Sequence, residues 1–304
     1  MYPFIRCAAG NPLTGGLGVC AHAFRSSQRL SWLAGGAERT ERKRPLPAVE
    51  ALESEPSYLE LQAHMGTTKH MGGLDATEEL VELCHINKDT YVLDVGCGVG
   101  ATACYLAKRY GCKVVGTDIS EKMIDWANRR AKREGVEDRV EFRVADAQNL
   151  PFEDARFDVV ICESVTTFIA DKRRAVSEYV RVTKPGGYVG LNEETWVKAP
   201  PPIELVEYIS RTWGNAKAET SDCWKELLEG SGARDIVVRT YQFSAQREST
   251  QIRRYGFEDY FRMLYSILSL YIRSPGFRRY MKARGPLPKN IWEYYGYGIY
   301  VGRK

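Results

Sequence analysis

The sequence predicts an α/β fold, a mostly parallel sheet with helices on both faces. Two observations predict it. Between about residues 74 and 195, short apolar runs alternate with helix-length stretches, the pattern of repeated strand–helix–strand units. The first of those runs ends at Asp94 and passes through Gly96, Gly98 and Gly100 straight into a helical stretch, the turn by which such sheets present a ligand site.

The elements follow in order. Strand-like runs lie at Tyr91–Val95, Lys113–Thr117, Val140–Ala145, Phe157–Cys162 and Tyr188–Leu191, with helical stretches near 75–86, 102–110, 121–134 and 171–182 between them. Lys184-Pro185-Gly186-Gly187 reads as a turn before the fifth strand. Past Glu194 the pattern changes, and Pro200-Pro201-Pro202 marks a rigid break before a helix near 203–212. Asp222–Glu229 reads as helix and Asp235–Tyr241 as strand. Apolar side chains at 257, 260, 261, 264, 267, 268 and 271 have the spacing of an amphipathic helix over 250–272, and Gly298–Val301 is a last strand. The body holds no internal repeat and no low-complexity tract.

Residues 1–50 show no periodicity of a packed element; they are rich in Gly, Ala, Ser and Arg, with no acid before Glu38. We read them as a disordered tail or an over-extended start of the reading frame ahead of an organellar transit peptide, and exclude them from the fold. The expected organisation is a leader over 1–50, a ligand-binding domain over 51–243 and 295–304, and helical cap insertions over 196–220 and 244–294.

Composition removes several function classes. The chain has 304 residues, 44% of them hydrophobic and 27% charged, enough for a sizeable core. The seven basic and three acidic side chains of residues 1–50 hold the whole net charge of +4, leaving 36 of each sign in the body. A nucleic-acid footprint over the folded body is therefore not expected. No apolar run approaches the roughly 18 residues of a membrane span; Met263–Ile272 is too short and is bracketed by Arg262 and Arg273. The eight cysteines form no CxxC pair and have no His cluster beside them, so no metal is expected, and reduced packing thiols in a cytoplasmic compartment are. An organelle is the alternative if the leader is a transit peptide.

The chemistry is concentrated in three strand ends. Glycines after Asp94 let the backbone turn tightly and approach a ligand, while the helix N-terminus offers free N–H groups. The GxGxG spacing differs from the GxGxxG of dinucleotide enzymes, and an acid beside the loop repels a pyrophosphate but attracts an ammonium group. Asp118 ends the second strand, where a carboxylate accepts hydrogen bonds from ribose hydroxyls. Asp146, followed by Ala147, ends the third and suits an adenine amino group. A nucleoside with a positively charged amino-acid tail satisfies all three acids.

Over roughly residues 70–195 the chain resembles the class I S-adenosylmethionine-dependent methyltransferases, through VLDVGCGVG, VVGTDIS, VADAQNLPFEDARFDVVICES and VRVTKPGGYVGL in that order. It is most similar to the small-molecule branch of quinone, tocopherol, sterol and phosphoethanolamine methylases. The resemblance implies a Rossmann-like seven-stranded sheet whose one antiparallel strand contains Gly298–Val301. It implies S-adenosylmethionine as cofactor, held by Asp94, Gly96, Cys97, Gly98 and Gly100 at the methionine end, by Asp118 with Ile119 at the ribose, by Asp146 with Ala147 at the adenine, and by Glu163. In tocopherol-like relatives a His follows the Glu-Ser after the fourth strand; here Glu163-Ser164 leads into Val165-Thr166-Thr167-Phe168. The catalytic candidates are then His70 and Glu163, or a tyrosine of the cap, with Glu193 and Glu194 also on the crevice side.

The expected function is transfer of a methyl group to a small, partly apolar acceptor such as a quinone, isoprenoid or lipid-like molecule. The alternatives are N-methylation of a small polar amine or headgroup, for which no prior base is needed, and a non-catalytic cofactor-binding subunit. A nicotinamide dehydrogenase is disfavoured by the glycine spacing and Asp94. Nucleic-acid methylation is disfavoured by the neutral body and the absence of a proline–proline–aromatic motif on the fourth strand. Residues 244–294 hold ten basic and four acidic side chains among many aromatics. The favoured account is a lid whose aromatic stripe packs on the sheet, and the second is a peripheral membrane contact.

Overall fold

A computed structural model describes residues 54–214 and 216–304; the leader and the expectations attached to it lie outside the described residues. The strands are β1 (Tyr91–Val95), β2 (Lys113–Asp118), β3 (Val140–Val144), β4 (Phe157–Glu163), β5 (Thr183–Trp196), β6 (Glu219–Thr220), β7 (Arg234–Gln242) and β8 (Tyr295–Arg303). The helices are α1 (Tyr58–Met65), α2 (Gly73–Leu83), α3 (Ala101–Tyr110), α4 (Glu121–Glu134), α5 (Lys172–Val182), α6 (Ile203–Thr212), α7 (Ser221–Gly230), α8 (Ala245–Ser249), α9 (Gln251–Arg273), α10 (Pro275–Arg284) and α11 (Ile291–Tyr294).

The strands form one sheet in the order β3-β2-β1-β4-β5-β8-β7, with β6 paired to the end of β5. β1 to β5 run parallel, and β8 runs antiparallel to both β5 and β7. This is the seven-stranded Rossmann-like path the resemblance implies, with the two-residue β6 as an addition. The strand order reverses between β1 and β4, which opens a ligand crevice at the carboxyl ends of those strands.

Strand residues alternate between two cores. Val92 packs in one cluster with Leu80, Leu106, Val114, Ile161 and Leu205. Its neighbour Leu93 packs in the other with Val160, Tyr179, Leu191 and Trp224. Helices on both faces bury both sides of β1, and its continuous apolar run reflects that. Among the described residues, side-chain caps set five helix starts, Thr220 before α7 and Ser274 before α10 among them. Ser120 accepts Met123 N before α4, Asp171 accepts Arg174 N before α5, and Ser57 forms a capping box with Glu60 before α1.

Three features differ from expectation. Lys184–Gly187 is part of β5 as a bulge: pairing with β4 jumps from Phe157–Thr183 to Val159–Tyr188. The chain end closes the loop, Gly186 N donating to Lys304 O at 2.8 Å and Lys304 N to Gly187 O at 2.9 Å. Helix α1 is an element the apolar periodicity does not predict, although Ser57-Tyr58-Leu59-Glu60 carries its capping signal. The aromatics of the cap divide: Phe277 and Tyr280 are buried and Trp292 packs against the core, whereas on α9 Phe261 is 64% exposed and Leu268 60%, while Ser266 and Ser269 are buried.

Candidate active site

A cavity of about 330 Å³ opens at the carboxyl ends of the central strands, under α1 and the segment that follows it. Asp94, Gly96, Cys97, Gly98, Asp118, Ile119, Asp146, Ala147, Glu163 and His70 all line it, so the structure brings together all but one of the expected cofactor-binding and catalytic residues. The exception is Gly100, which caps α3 at φ 70° outside the lining. A Cβ there would press on Phe142 and Ala127, so packing of α3 against α4 and β3 sets its identity.

The glycine turn is built for close approach. Gly96 and Gly98 both have left-handed φ, 72° and 52°, and a Cβ on either would overlap the Val165 and Thr68 methyls respectively. Gly98 N donates to Asp118 Oδ2 at 3.0 Å and Ser120 N to Asp118 Oδ1 at 2.9 Å. The turn and the second strand end are thereby locked together. Burial raises the Asp118 carboxyl above its ordinary range, and those two N–H bonds oppose the rise. Ile119 stands 71% exposed on the cavity rim, an apolar surface for a flat ring. Asp146 is exposed beside it and accepts Gln148 N at 2.8 Å.

Glu163, at the end of β4, is the centre of a buried polar cluster. Its Oε1 accepts Thr77 Oγ1 at 2.8 Å and its Oε2 accepts Thr102 Oγ1 at 2.6 Å. His70 Nε2 lies 3.6 Å from Glu163 Oε1, and Asn192 Nδ2 lies 3.2 Å from His70 Nδ1. The two catalytic candidates are therefore neighbours, 93 residues apart in sequence. The next residue, Ser164, sits at φ 55°, a strained conformation for serine at the cavity wall.

Glu193 and Glu194 lie inside β5, and strand alternation sends them to different places. Glu193 is fully buried and accepts the backbone N–H groups of Val165, Thr166 and Thr167, so it holds the short turn Thr166–Phe168 and does not line the cavity. Glu194 does line it. Burial and the neighbouring Glu193 push its carboxyl far above the ordinary carboxylate range, while Ser164 and Lys69 pull the other way. Burial also drives the Cys97 and Cys162 thiols well above their ordinary range, which leaves both protonated and inert. His64 and His85 line neither this cavity nor its neighbour.

A second chamber of about 80 Å³ adjoins the first and shares Tyr58, Lys69, His70, Phe168 and Glu194 with it. Its remaining wall is largely aromatic, from Trp213, Phe243, Trp292 and Tyr295. The rings brace one another: Phe243 and Trp292 stack at 3.9 Å between centroids, Trp213 and Tyr295 lie at 5.3 Å, and Tyr58 and Phe168 at 6.0 Å. No local pattern marked this chamber in the sequence, because its walls come from α1, the turn Thr166–Phe168, β5, α11, β8 and the segments that follow α1, α6 and β7.

Residues 93–191 match the family model described as a methyltransferase domain. The chain belongs to the class I S-adenosylmethionine-dependent methyltransferases. Among curated relatives, a phosphoethanolamine N-methyltransferase of Triticum aestivum is 33% identical over 202 residues, 62% of this chain and 39% of the wheat protein's own length. Among solved structures, the [4+2]-cyclase SpnF superposes with a TM-score of 0.65 at 20% identity, covering 84% of this chain and 99% of its own. Phosphoethanolamine N-methyltransferase 2 of Haemonchus contortus, in complex with S-adenosyl-L-methionine, superposes with a TM-score of 0.62 at 20% identity, covering 81% and 56%. At those identities the likeness to solved structures is one of fold.

The cavity of this methyltransferase fits S-adenosylmethionine on its own chemistry. Asp94, Asp118 and Asp146 with Ile119 line one cavity, where they would meet the ammonium, ribose and adenine of a bound cofactor respectively, while the glycine turn leaves room that any Cβ would fill. When bound, the cofactor supplies a methyl group on a sulfonium, a good leaving group. The protein's share of the chemistry is orientation of the acceptor and exclusion of water.

Proposed function

We propose that the protein transfers the methyl group to the nitrogen of a small amine whose apolar body lies in the aromatic chamber against Glu194. The observation that carries this is the chamber itself: aromatic walls whose shared end holds the Glu194 carboxyl beside His70 and Lys69, the latter paired with Glu248 at 3.2 Å. An alkylamine reaches the enzyme protonated at neutral pH, as a lysine with pKa of about 10.4 is. Aromatic faces attract such a cation, and a carboxylate of raised proton affinity accepts its proton once the carboxyl has itself ionised. Glu194 has that character. Deprotonation by Glu194 leaves the nitrogen lone pair free to take the methyl group, with the S–C bonding pair departing to sulfur. His70, with Glu163 behind it, fixes the wall at the junction of the two chambers.

The expected partly apolar acceptor is kept in this proposal as the body of the molecule, and the amine takes the place of a quinone or isoprenoid carbon. The name of the wheat relative supports a nitrogen acceptor. The test is transfer of labelled methyl from S-adenosylmethionine to matched pairs of arylalkyl amines and alcohols. Label in the amines, with kcat/KM lowered about tenfold or more by Glu194→Gln, supports the proposal. Label confined to hydroxyl or carbon acceptors overturns it. So does cofactor binding with no transfer to any acceptor, which is the behaviour of a non-catalytic subunit.

A further inference from the structure

Helix α9 is amphipathic in the inverted sense. Phe261, Leu264, Leu268, Tyr271 and Ile272 follow i, i+3, i+7, i+10, i+11 and lie on one face. All five are exposed, Ile272 at 66%. The opposite face buries Asp259, Ser266, Ser269 and Leu270 against the rest of the protein. A helix that turns serines inward and a phenylalanine, leucines and an isoleucine outward has its apolar face toward something other than its own core.

The charge around the stripe says what that is. Between Asp259 and Glu293 the chain has no acid and seven bases. Arg262 is held by Asp259 at 2.6 Å. Arg278 donates to Tyr271 O at 2.8 Å and Ile272 O at 2.9 Å, which places a guanidinium at the end of the apolar stripe. Arg273, Lys282 and Lys289 are exposed beyond it.

We propose that this face of α9, with the start of α10, docks on an anionic lipid surface. The stripe enters the acyl boundary and the bases meet the headgroups. No helix among the described residues is long and apolar enough to cross a membrane, so the helix lies in the interface plane. Charge separates this partner from two others. A second copy would bring the same all-basic surface against itself, and the chain's own first 50 residues carry a net +4, the same sign as this face.

The test is co-sedimentation of the full chain with vesicles of phosphatidylcholine alone and of phosphatidylcholine with roughly 30% phosphatidylserine, at about 0.1 M and about 0.5 M salt. Binding to the anionic vesicles at low salt is expected. Phe261→Ser/Leu268→Ser/Ile272→Ser should lower it about tenfold or more, and Lys282→Glu/Lys289→Glu by a similar factor. Affinity for S-adenosylmethionine should be unchanged in both variants, which shows that they fold. Failure to bind anionic vesicles overturns the proposal. Equal binding to neutral vesicles overturns it, as does a wild-type dimer that the triple variant converts to monomer without any vesicle binding.

Discussion

Asp259 of α9 accepts Arg130 Nη2 of α4 at 2.8 Å, and the same guanidinium donates its Nε to Val99 O of the glycine turn at 3.1 Å. One buried carboxylate thereby links the long helix before β8 to the loop that receives the cofactor. Arg133 and Arg262 reach the same carboxylate, at 2.9 and 2.6 Å. Removing one member of a buried charge cluster leaves the others desolvated and uncompensated, at a cost of about 3–5 kcal/mol. Asp259→Asn should lower unfolding free energy by an amount of that order in urea titration. It should also weaken S-adenosylmethionine binding measured by calorimetry, because Arg130 then loses the partner that orients it toward Val99 O. Unchanged cofactor affinity would show that α9 and the turn are independent.

Gly98 is restricted twice over, by its left-handed φ of 52° and by the Thr68 methyl that a Cβ would overlap. Gly98→Ala should reduce cofactor affinity by about tenfold or more. Gly98→Ala combined with Thr68→Gly removes the overlap and leaves only the backbone strain of about 1–2 kcal/mol. Partial recovery of affinity in the double variant, read by calorimetry, identifies the steric part.

Glu163 holds two buried hydroxyls from different helices, Thr77 of α2 and Thr102 of α3. Glu163→Ala leaves both without this acceptor and should destabilise the protein by about 3 kcal/mol. A double-mutant cycle with His70→Ala should return a coupling of about 1 kcal/mol, as expected for side chains 3.6 Å apart. A carboxylate whose role was confined to chemistry would leave thermal stability unmoved.

The raised carboxyl of Glu194 makes stability depend on pH in a defined direction. In the unfolded chain this group loses its proton near the ordinary value of 4.5, while in the folded state it keeps it to higher pH. Between those two values the folded state binds more protons, so its contribution is complete below the ordinary value and is lost as pH rises through the folded one. Melting temperature should fall across that window. Glu194→Gln should melt about 2–4 °C above wild type at alkaline pH, and close to it in mild acid. Parallel wild-type and variant curves would place the titration elsewhere.

Most of the sheet was legible in the sequence. The strand ends at Asp94, Asp118 and Asp146 could be read because turn glycines, apolar runs and terminal acids are local patterns with local causes. Glu193 and Glu194 were read together as crevice residues, yet only Glu194 lines the cavity, since adjacent strand residues face opposite sides. The motif groups Gly100 with Gly96 and Gly98, yet Gly100 does not line the cavity, and a Cβ there would meet Phe142 and Ala127.

The sequence by itself determined the α/β class, the glycine turn, the three acids and the methyltransferase family, because each depends on residues close together along the chain. Only the tertiary structure decided which side chains meet. It placed His70 beside Glu163, gathered Tyr58, Phe168, Trp213, Phe243, Trp292 and Tyr295 around Glu194, and turned Phe261 and Ile272 away from the core. Periodicity shows that a helix has an apolar face, but the direction of that face is set by the burial of Asp259 with its arginines on the other side.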